Sequence, residues 1–98
     1  MTTEIIIHAD DFTNEKEFLR SEIEKWIRGK LDSYIKKYAK EDNKIRIEAR
    51  FFRGKKGFSG KIHLTTPAHA FHTEREDFEK LEDLVLHLIS HLKDQMAE

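Results

Sequence analysis

The spacing of hydrophobic side chains predicts six regular elements along the chain. Strict alternation of apolar and polar residues is typical of a half-buried strand, and it is clearest over residues 44–52. The predicted strands are residues 4–8, 44–52, 59–66 and 69–74. Apolar residues repeat every three or four positions in two stretches, which predicts helices over residues 15–40 and from residue 76 onward. The predicted element order is therefore β-α-β-β-β-α.

This order predicts an α+β fold, a four-stranded mixed sheet with two helices packed on one face. Each amphipathic helix needs an apolar surface to cover, and one face of one sheet serves both. The first helix would link the first two strands in parallel. Its predicted core stripe is Leu19, Ile23, Trp26, Ile27, Leu31, Tyr34, Ile35 and Tyr38. Thr13 or Asn14 would be the N-cap of this helix, and Asn14 with Glu17 resembles a capping box. Glu76, Asp77 and Glu79 would place negative charge in the first turn of the last helix.

The connections carry their own predictions. Three consecutive isoleucines, residues 5–7, indicate a first strand that is buried on both faces or nearly so. Residues 53–57, RGKKG, are typical of a hairpin loop, and residues 41–43 of a turn. Pro67 ends the third strand, so the fourth strand is expected either to lie at an edge of the sheet or to begin pairing after the proline.

Length and composition predict one domain over residues 1–98, because 98 residues with 38% hydrophobic content support one modest core. No apolar run approaches the roughly 20 residues of a membrane span, and the N-terminus does not resemble a signal peptide. We therefore expect a cytoplasmic protein without a membrane partner. The absence of cysteine excludes disulfides, thiol catalysis and cysteine-ligated metals.

The charge is divided unevenly, although the formal net charge is only -1. Residues 25–63 hold 13 of the 18 basic residues but only 4 of the 19 acidic ones. Such segregation lets a basic surface find a polyanion while the acidic remainder keeps the protein soluble.

Catalysis and metal binding have little support in the sequence. We find no phosphate-binding loop, nucleophile elbow or cysteine nucleophile, so an enzyme is not expected. His87 and His91 share a helix face, but neither a Glu-x-x-His context nor a third ligand accompanies them. We expect no metal, no cofactor and no small-molecule substrate.

A group of basic residues interleaved with aromatics remains on two strands and their hairpin. Its members are Arg46, Arg50, Phe52, Arg53, Lys55, Lys56, Phe58, Lys61 and His63. Arginine pairs with phosphate oxygens, lysine adds charge, and Phe52 or Phe58 would stack on an exposed base, which suits structured RNA. The other interpretation is a solvated sheet face whose hairpin aromatics fold into the core. The helix cations are equally open to two interpretations, because cations late in a helix also complement its dipole.

Three segments resemble the ribosome hibernation promoting factor family, also known as ribosome-associated inhibitors or sigma-54 modulation proteins. They are the opening strand EIIIHAD, the helix segment KLDSYI at residues 30–35, and the end FHTEREDFEKLEDLVLHLISHLKDQ. The resemblance spans nearly the whole chain and implies a non-enzymatic factor. Such a factor would bind rRNA of the small ribosomal subunit at the decoding region and inhibit translation under stress or in stationary phase.

Carried over by position, the resemblance implies RNA contacts at Lys25, Arg28, Lys36, Lys37, Arg46, Arg50, Arg53, Lys55 and Lys56. Lys61 on the returning strand completes the predicted RNA-binding set. The chain departs from the family pattern in the hairpin and at Pro67, and it lacks the lysine-rich tail of some members. We expect a monomer off the ribosome. The alternative is a protein-protein interaction module, a homodimer through the open sheet face or an edge strand, without RNA binding.

Overall fold

The alternating residues 44–65 form the centre of a four-stranded sheet in the computed structural model of the chain. The structure describes residues 2–10, 12, 14–29, 31–38, 44–67 and 69–97. Its elements are β1 (Thr2–His8), α1 (Lys16–Arg28), α2 (Asp32–Tyr38), β2 (Lys44–Gly54), β3 (Gly57–Thr65), β4 (Ala70–Phe78) and α3 (Leu81–Ala97). The predicted α+β fold and the order β-α-β-β-β-α are confirmed, with the first helix divided in two.

The sheet has the strand order β1-β2-β3-β4, and the helices cover one of its faces. β1 runs parallel to β2, as the crossover prediction requires, and the other two pairs are antiparallel. Every second residue of β2 enters the core between sheet and helices, where it meets residues of β3 and α3. The opposite face, formed by the intervening residues, carries no helix, and we call it the open face.

The predicted helix over residues 15–40 is broken at Gly29, whose ψ of -94° is not helical. The Gly29 amide still donates to the Lys25 carbonyl at 3.0 Å, and the Leu31 amide reaches back to the Trp26 carbonyl at 3.0 Å. That second bond spans five residues and closes the end of α1. The chain then turns so that Leu31 and Ile35 remain buried. Residues of both segments pack on the same core.

The start of α1 also differs from the prediction. Glu15 occupies the N-cap position and no side chain caps the helix, so the predicted capping box of Asn14 and Glu17 does not form. Thr13, the other candidate cap, lies outside the described residues, as does the predicted turn over residues 41–43. The Glu15 carboxylate accepts a hydrogen bond from Arg53 of the hairpin at 3.0 Å.

The last helix begins five residues later than predicted. β4 continues through Glu76 and Asp77 to Phe78, which lies opposite Phe58 of β3 after an irregularity in the register. Asp77 has a φ of 61°, a conformation that aspartate tolerates better than most residues. Pairing with β3 thus overrides the local helical pattern. The acidic residues in the first turn of α3 are Glu82 and Asp83 instead.

The sheet edges modify two further predictions. β4 lies at an edge and begins at Ala70, after Pro67, so both of the expected arrangements occur. β1 forms the other edge, so Ile7 is buried while Ile5 and Ile6 are only half-buried, and the predicted burial on both faces is incomplete.

Among the described residues, none of the helices combines the length and apolar character that a bilayer crossing requires.

Candidate nucleic-acid interface

The ten basic residues predicted to bind RNA fall into three separate places. Lys25, Arg28, Lys36 and Lys37 belong to the helices, Arg46, Arg50 and Lys61 to the open face, and Arg53, Lys55 and Lys56 to the hairpin. The helices cover the face opposite to the open one, so helix cations and strand cations do not converge on one surface. α1 begins beside the hairpin, where Glu15 contacts Arg53, and ends beside Thr3 near the start of β1. Its last-turn cations therefore also lie at the end of the molecule remote from the hairpin tip.

The helix cations are exposed, but they differ in their partners. Lys25 and Arg28 occupy the last turn of α1, and within the part of the chain that the structure describes neither forms an ion pair. Lys36 pairs with Asp32 one turn earlier in α2, with 3.0 Å between ammonium and carboxylate. The side chain of Lys37 lies outside the described residues. Of the four helix cations, only Lys25 and Arg28 are therefore described as exposed side chains without an ion pair among the described residues.

Carboxylates interrupt the open face, which the alternating pattern alone had presented as basic. Arg46 lies between two of them, with its Nε 3.6 Å from Glu4 and its Nη2 3.7 Å from Glu48. Lys44 is 3.8 Å from the same Glu4. Exposed pairs of this kind add little to stability, but they largely neutralise the cations that form them. The half of the open face nearest the start of β2 is therefore of mixed charge.

Glu48 is the central carboxylate of this mixed region. His8 of β1 donates a hydrogen bond from Nε2 to Glu48 Oε2 at 2.9 Å. This hydrogen bond is the main cause that lowers the pKa of the Glu48 carboxyl below its ordinary value, and the nearby Arg46 charge adds to the effect. Glu48 is consequently ionised at neutral pH and repels phosphate from its surroundings.

Two histidines face each other directly across β3 and β4 on the open face. The ring centroids of His63 and His72 are 4.2 Å apart, and Nδ1 of His72 lies 3.1 Å from Nε2 of His63. Partial burial lowers the pKa of the His63 imidazole, and the charges of His72 and Lys61 lower it further. Glu74 follows on β4, 3.4 Å from His72 Nε2. In the described ranges no group of three or more His, Cys, Asp or Glu residues is arranged to hold a metal ion.

The basic surface without carboxylate partners lies at the hairpin end of the open face. Arg50 and Lys61 are directly opposite in the β2–β3 register, a like-charged pair that costs stability. Phe52 follows Arg50 on the same face, and Lys55 and Lys56 form the turn. We call these residues the hairpin patch: Arg50, Phe52, Lys55, Lys56 and Lys61. Among the described residues none of its four cations forms an ion pair, although Glu74 of β4 lies opposite Lys61 in register.

The turn that presents the two lysines is tighter than predicted. Gly54 pairs with Gly57, so the loop contains Lys55 and Lys56 alone rather than residues 53–57. Gly57 has a φ of 141°, which favours glycine, and the carbonyl of Phe78 lies against its Cα where a side chain would stand. A two-residue turn holds both ammonium groups at the tip of a paired hairpin.

Arg53 and Phe58 belong to the opposite face of the hairpin and lie outside the hairpin patch. The guanidinium of Arg53 is 4.7 Å from the ring centroid of Phe12 and 5.3 Å from that of Phe58. It also pairs with Glu15 at 3.0 Å. Phe58 packs on Phe12 with ring centroids 5.8 Å apart. Arg53 thus joins the hairpin to the start of α1. Of the two hairpin aromatics, Phe58 packs against the core, as the second interpretation expected, whereas Phe52 is exposed.

The sequence did not predict the interactions that reduce the positive charge of the open face or pair its histidines. The residues that form them are Glu4, His8, Glu48, His63 and His72. Glu4 and His8 reach β2 only because β1 pairs with it in parallel, in a register that no local pattern specifies. The alternation of inward and outward residues along β2 did predict the position of one site residue. Residues 51 and 53 share a face, so the core position of Phe51 already directs Arg53 away from Arg50.

Among solved structures, the chain is similar to the N-terminal domain of Protein Y from Thermus thermophilus, known from its crystal structure. The two share 16% sequence identity with a TM-score of 0.63, and the match covers 98% of this chain and 96% of that chain. No family model and no curated protein matches the chain. The likeness establishes a shared fold over nearly the whole chain. It thereby supports, at the level of the fold, the family resemblance drawn from the sequence.

Proposed function

We propose that this protein is a non-enzymatic ribosome-associated factor. It binds rRNA of the small ribosomal subunit at the decoding region and inhibits translation under stress or in stationary phase. The sequence resemblance and the shared fold with the Protein Y domain support this assignment. The observation that carries it is the hairpin patch, where four cations without ion pairs in the described chain surround an exposed aromatic ring.

The hairpin patch suits RNA better than a protein partner. Its like-charged pair of Arg50 and Lys61 is unfavourable in the free protein, and a phosphate between them would remove that repulsion. Residues 51–60 contain no acidic side chain. Acidic residues border the hairpin at Glu48 on β2 and at Glu74 and Asp77 on β4, where the Asp77 amide donates to the Ser59 hydroxyl at 3.4 Å. Lys25 and Arg28 provide a second cationic site, which requires a ligand large enough to reach both ends of the domain. Structured RNA meets both conditions.

Cosedimentation with purified small subunits tests the proposal. The wild-type protein is expected to bind at low salt and to dissociate as salt rises, because phosphate contacts release counterions. The double variant Lys55→Gln/Lys56→Gln should weaken binding and reduce the dependence of log K on log salt by about 1 for each lysine removed. Lys44→Gln is the control, since Lys44 lies at the other end of β2, beside Glu4.

Failure of the wild-type protein to bind small subunits at low salt would reject the proposal. Binding that ignores salt, or equal effects of the Lys55/Lys56 and Lys44 variants, would reject the hairpin patch as the site. Arg53 is unsuitable for this test because its substitution would also break contacts with Glu15 and Phe12.

The alternative of a homodimer without RNA binding has less support from the geometry. Gln95 of α3 accepts a hydrogen bond from the His72 amide at 3.2 Å and donates one to the His72 carbonyl. The edge of β4 is therefore covered at its centre, where a second copy would pair. Light scattering without RNA separates the two functions: a monomer is expected, and a stable dimer that ignores nuclease treatment would favour the alternative.

A further inference from the structure

The ring of Phe52 is partly exposed on the open face and is contacted there by Lys61. Its side chain lies on the open face and is 43% exposed, the largest exposed fraction among the aromatic residues of the described chain. Across β3 it faces Ser59, which is too small to cover it. On the other side β1 ends at His8, opposite Arg50, so β2 continues past its neighbour before Phe52 is reached. The ring therefore projects from a part of the hairpin flanked by one strand only.

The other aromatic residues of the hairpin show that this exposure is specific to Phe52. Phe51 is 2% exposed in the core, and Phe58 packs against Phe12. Arg53 covers the rings of Phe12 and Phe58. Three of the four aromatic residues around the hairpin are thus used by the fold, and Phe52 is left to meet a ligand.

The groups around Phe52 are cations. The Lys61 ammonium lies 5.9 Å from the ring centroid, within the range of a cation–π contact. Arg50 precedes the ring on the same face, and the turn lysines follow it. At about 3.3 Å per residue along a strand, Lys55 lies roughly 10 Å from Phe52, comparable to the span of a short run of nucleotides. The arrangement combines an aromatic platform with a cationic track along the hairpin.

We propose that the hairpin patch binds an unpaired segment of RNA, with one base stacked on Phe52 and the flanking phosphates on Arg50, Lys61 and the turn lysines. This inference rests on the proposed function and names the form of RNA that the site takes. An unpaired base offers its ring face to an aromatic side chain, and such stacking tolerates any base. A duplex keeps its bases stacked on one another, so it would meet the lysines and leave Phe52 without a partner.

The test compares a short oligouridylate with a blunt RNA duplex of equal length, using fluorescence anisotropy at one salt concentration. Phe52→Ala should weaken oligouridylate binding roughly 5- to 140-fold, the range for loss of one base–aromatic stack, and leave duplex binding unchanged. Phe52→Leu keeps an apolar side chain without a ring face and should lose affinity similarly. Phe52→Tyr should retain it. Since the ring is exposed, circular dichroism should show all three variants folded.

Two results would overturn the inference: equal losses for oligouridylate and duplex in Phe52→Ala, or wild-type affinity for oligouridylate in Phe52→Leu. Cosedimentation with small subunits distinguishes this failure from that of the proposed function. If the wild-type protein cosediments while Phe52→Ala binds oligouridylate normally, the stacking inference fails and the function stands. If the wild-type protein binds oligouridylate through Phe52 but does not cosediment, the function fails and the single-strand site stands.

Discussion

Replacing Gly57 by alanine is expected to destabilise the hairpin that carries Lys55 and Lys56. The backbone at this position has a φ of 141°, which side chains other than glycine rarely adopt. A Cβ atom there would clash with the carbonyl oxygen of Phe78 and stand 3.0 Å from its carbonyl carbon. Both atoms belong to the backbone of β4, so no side-chain rotation relieves the contact. The substitution must either change φ or separate β3 from β4.

The expected magnitude follows from these two costs. An unfavourable backbone conformation costs about 1–3 kcal/mol, and forcing an extra methyl group into packed surroundings costs about 1–3 kcal/mol. The unfolded chain loses entropy when glycine is replaced, which returns about 0.4–1 kcal/mol. We therefore expect Gly57→Ala to lower the free energy of unfolding by about 1–6 kcal/mol. At about 4–8 °C per kcal/mol for a domain of this size, the Tm should fall by at least roughly 4 °C.

Urea and thermal denaturation followed by far-ultraviolet circular dichroism measure this loss. Gly54→Ala is the matched control, because Gly54 is the residue paired with Gly57 and its added Cβ would lie 3.5 Å from the nearest atom, an ordinary contact. Its expected change in unfolding free energy is within about 1 kcal/mol. Equal stability of the Gly57→Ala and Gly54→Ala variants would refute the close approach of β4 to the hairpin.

The remaining predictions concern pH and the sheet edge. The free energy of unfolding should fall as pH drops below about 6.5, because the lowered pKa of His63 lets the unfolded state bind the proton first. His63→Gln should remove that part of the slope in a urea titration series, and an unchanged slope would contradict the assignment. The stability that Glu48 contributes is present above its ordinary pKa and lost as pH falls through the lowered one, so Glu48→Gln should flatten the acid side of the same curve. Gln95→Ala should cost about 1–2 kcal/mol of unfolding free energy and promote self-association through β4, which light scattering would detect; a variant as monomeric and stable as wild type would show that Gln95 does not protect this edge.

Local periodicity was sufficient to predict the elements and their inward residues. Ile45, Ile47, Ala49 and Phe51 alternate as the sheet requires, and all four are buried. Local periodicity failed where pairing with a strand that is distant in sequence determined the backbone conformation. Residues 76–78 follow a helical pattern, yet they extend β4 because β3 offers backbone partners as far as Phe58. The sequence pattern also did not predict the end of α1 at Gly29, since the apolar stripe continues past this residue to Leu31 and Ile35.

The sequence predicted those members of the candidate site that depend on local pattern and not those that depend on strand pairing. The hairpin lysines, Arg50 and Lys61 could be assigned because strand parity and turn composition are local properties. The neutralisation of Arg46 could not, because Glu4 arrives from the far end of the first crossover. Nor could the pairing of His63 with His72, which depends on the register between β3 and β4. Parity did place Arg53 and Phe58 on the core side, but their basic and aromatic neighbours in sequence favoured the opposite assignment.

By itself the sequence determined the fold class, the order of the elements, the core faces of β2 and β3 and the segregation of charge into the middle of the chain. These depend on periods of two and 3.6 residues, which the backbone imposes locally. Only the tertiary structure decided which cations share a surface and which meet a carboxylate. Charges interact through space, and strand register brings together residues that lie far apart in the chain. The basic middle segment is consequently divided between the two faces of one sheet, and its hairpin end retains four cations and an exposed ring for RNA.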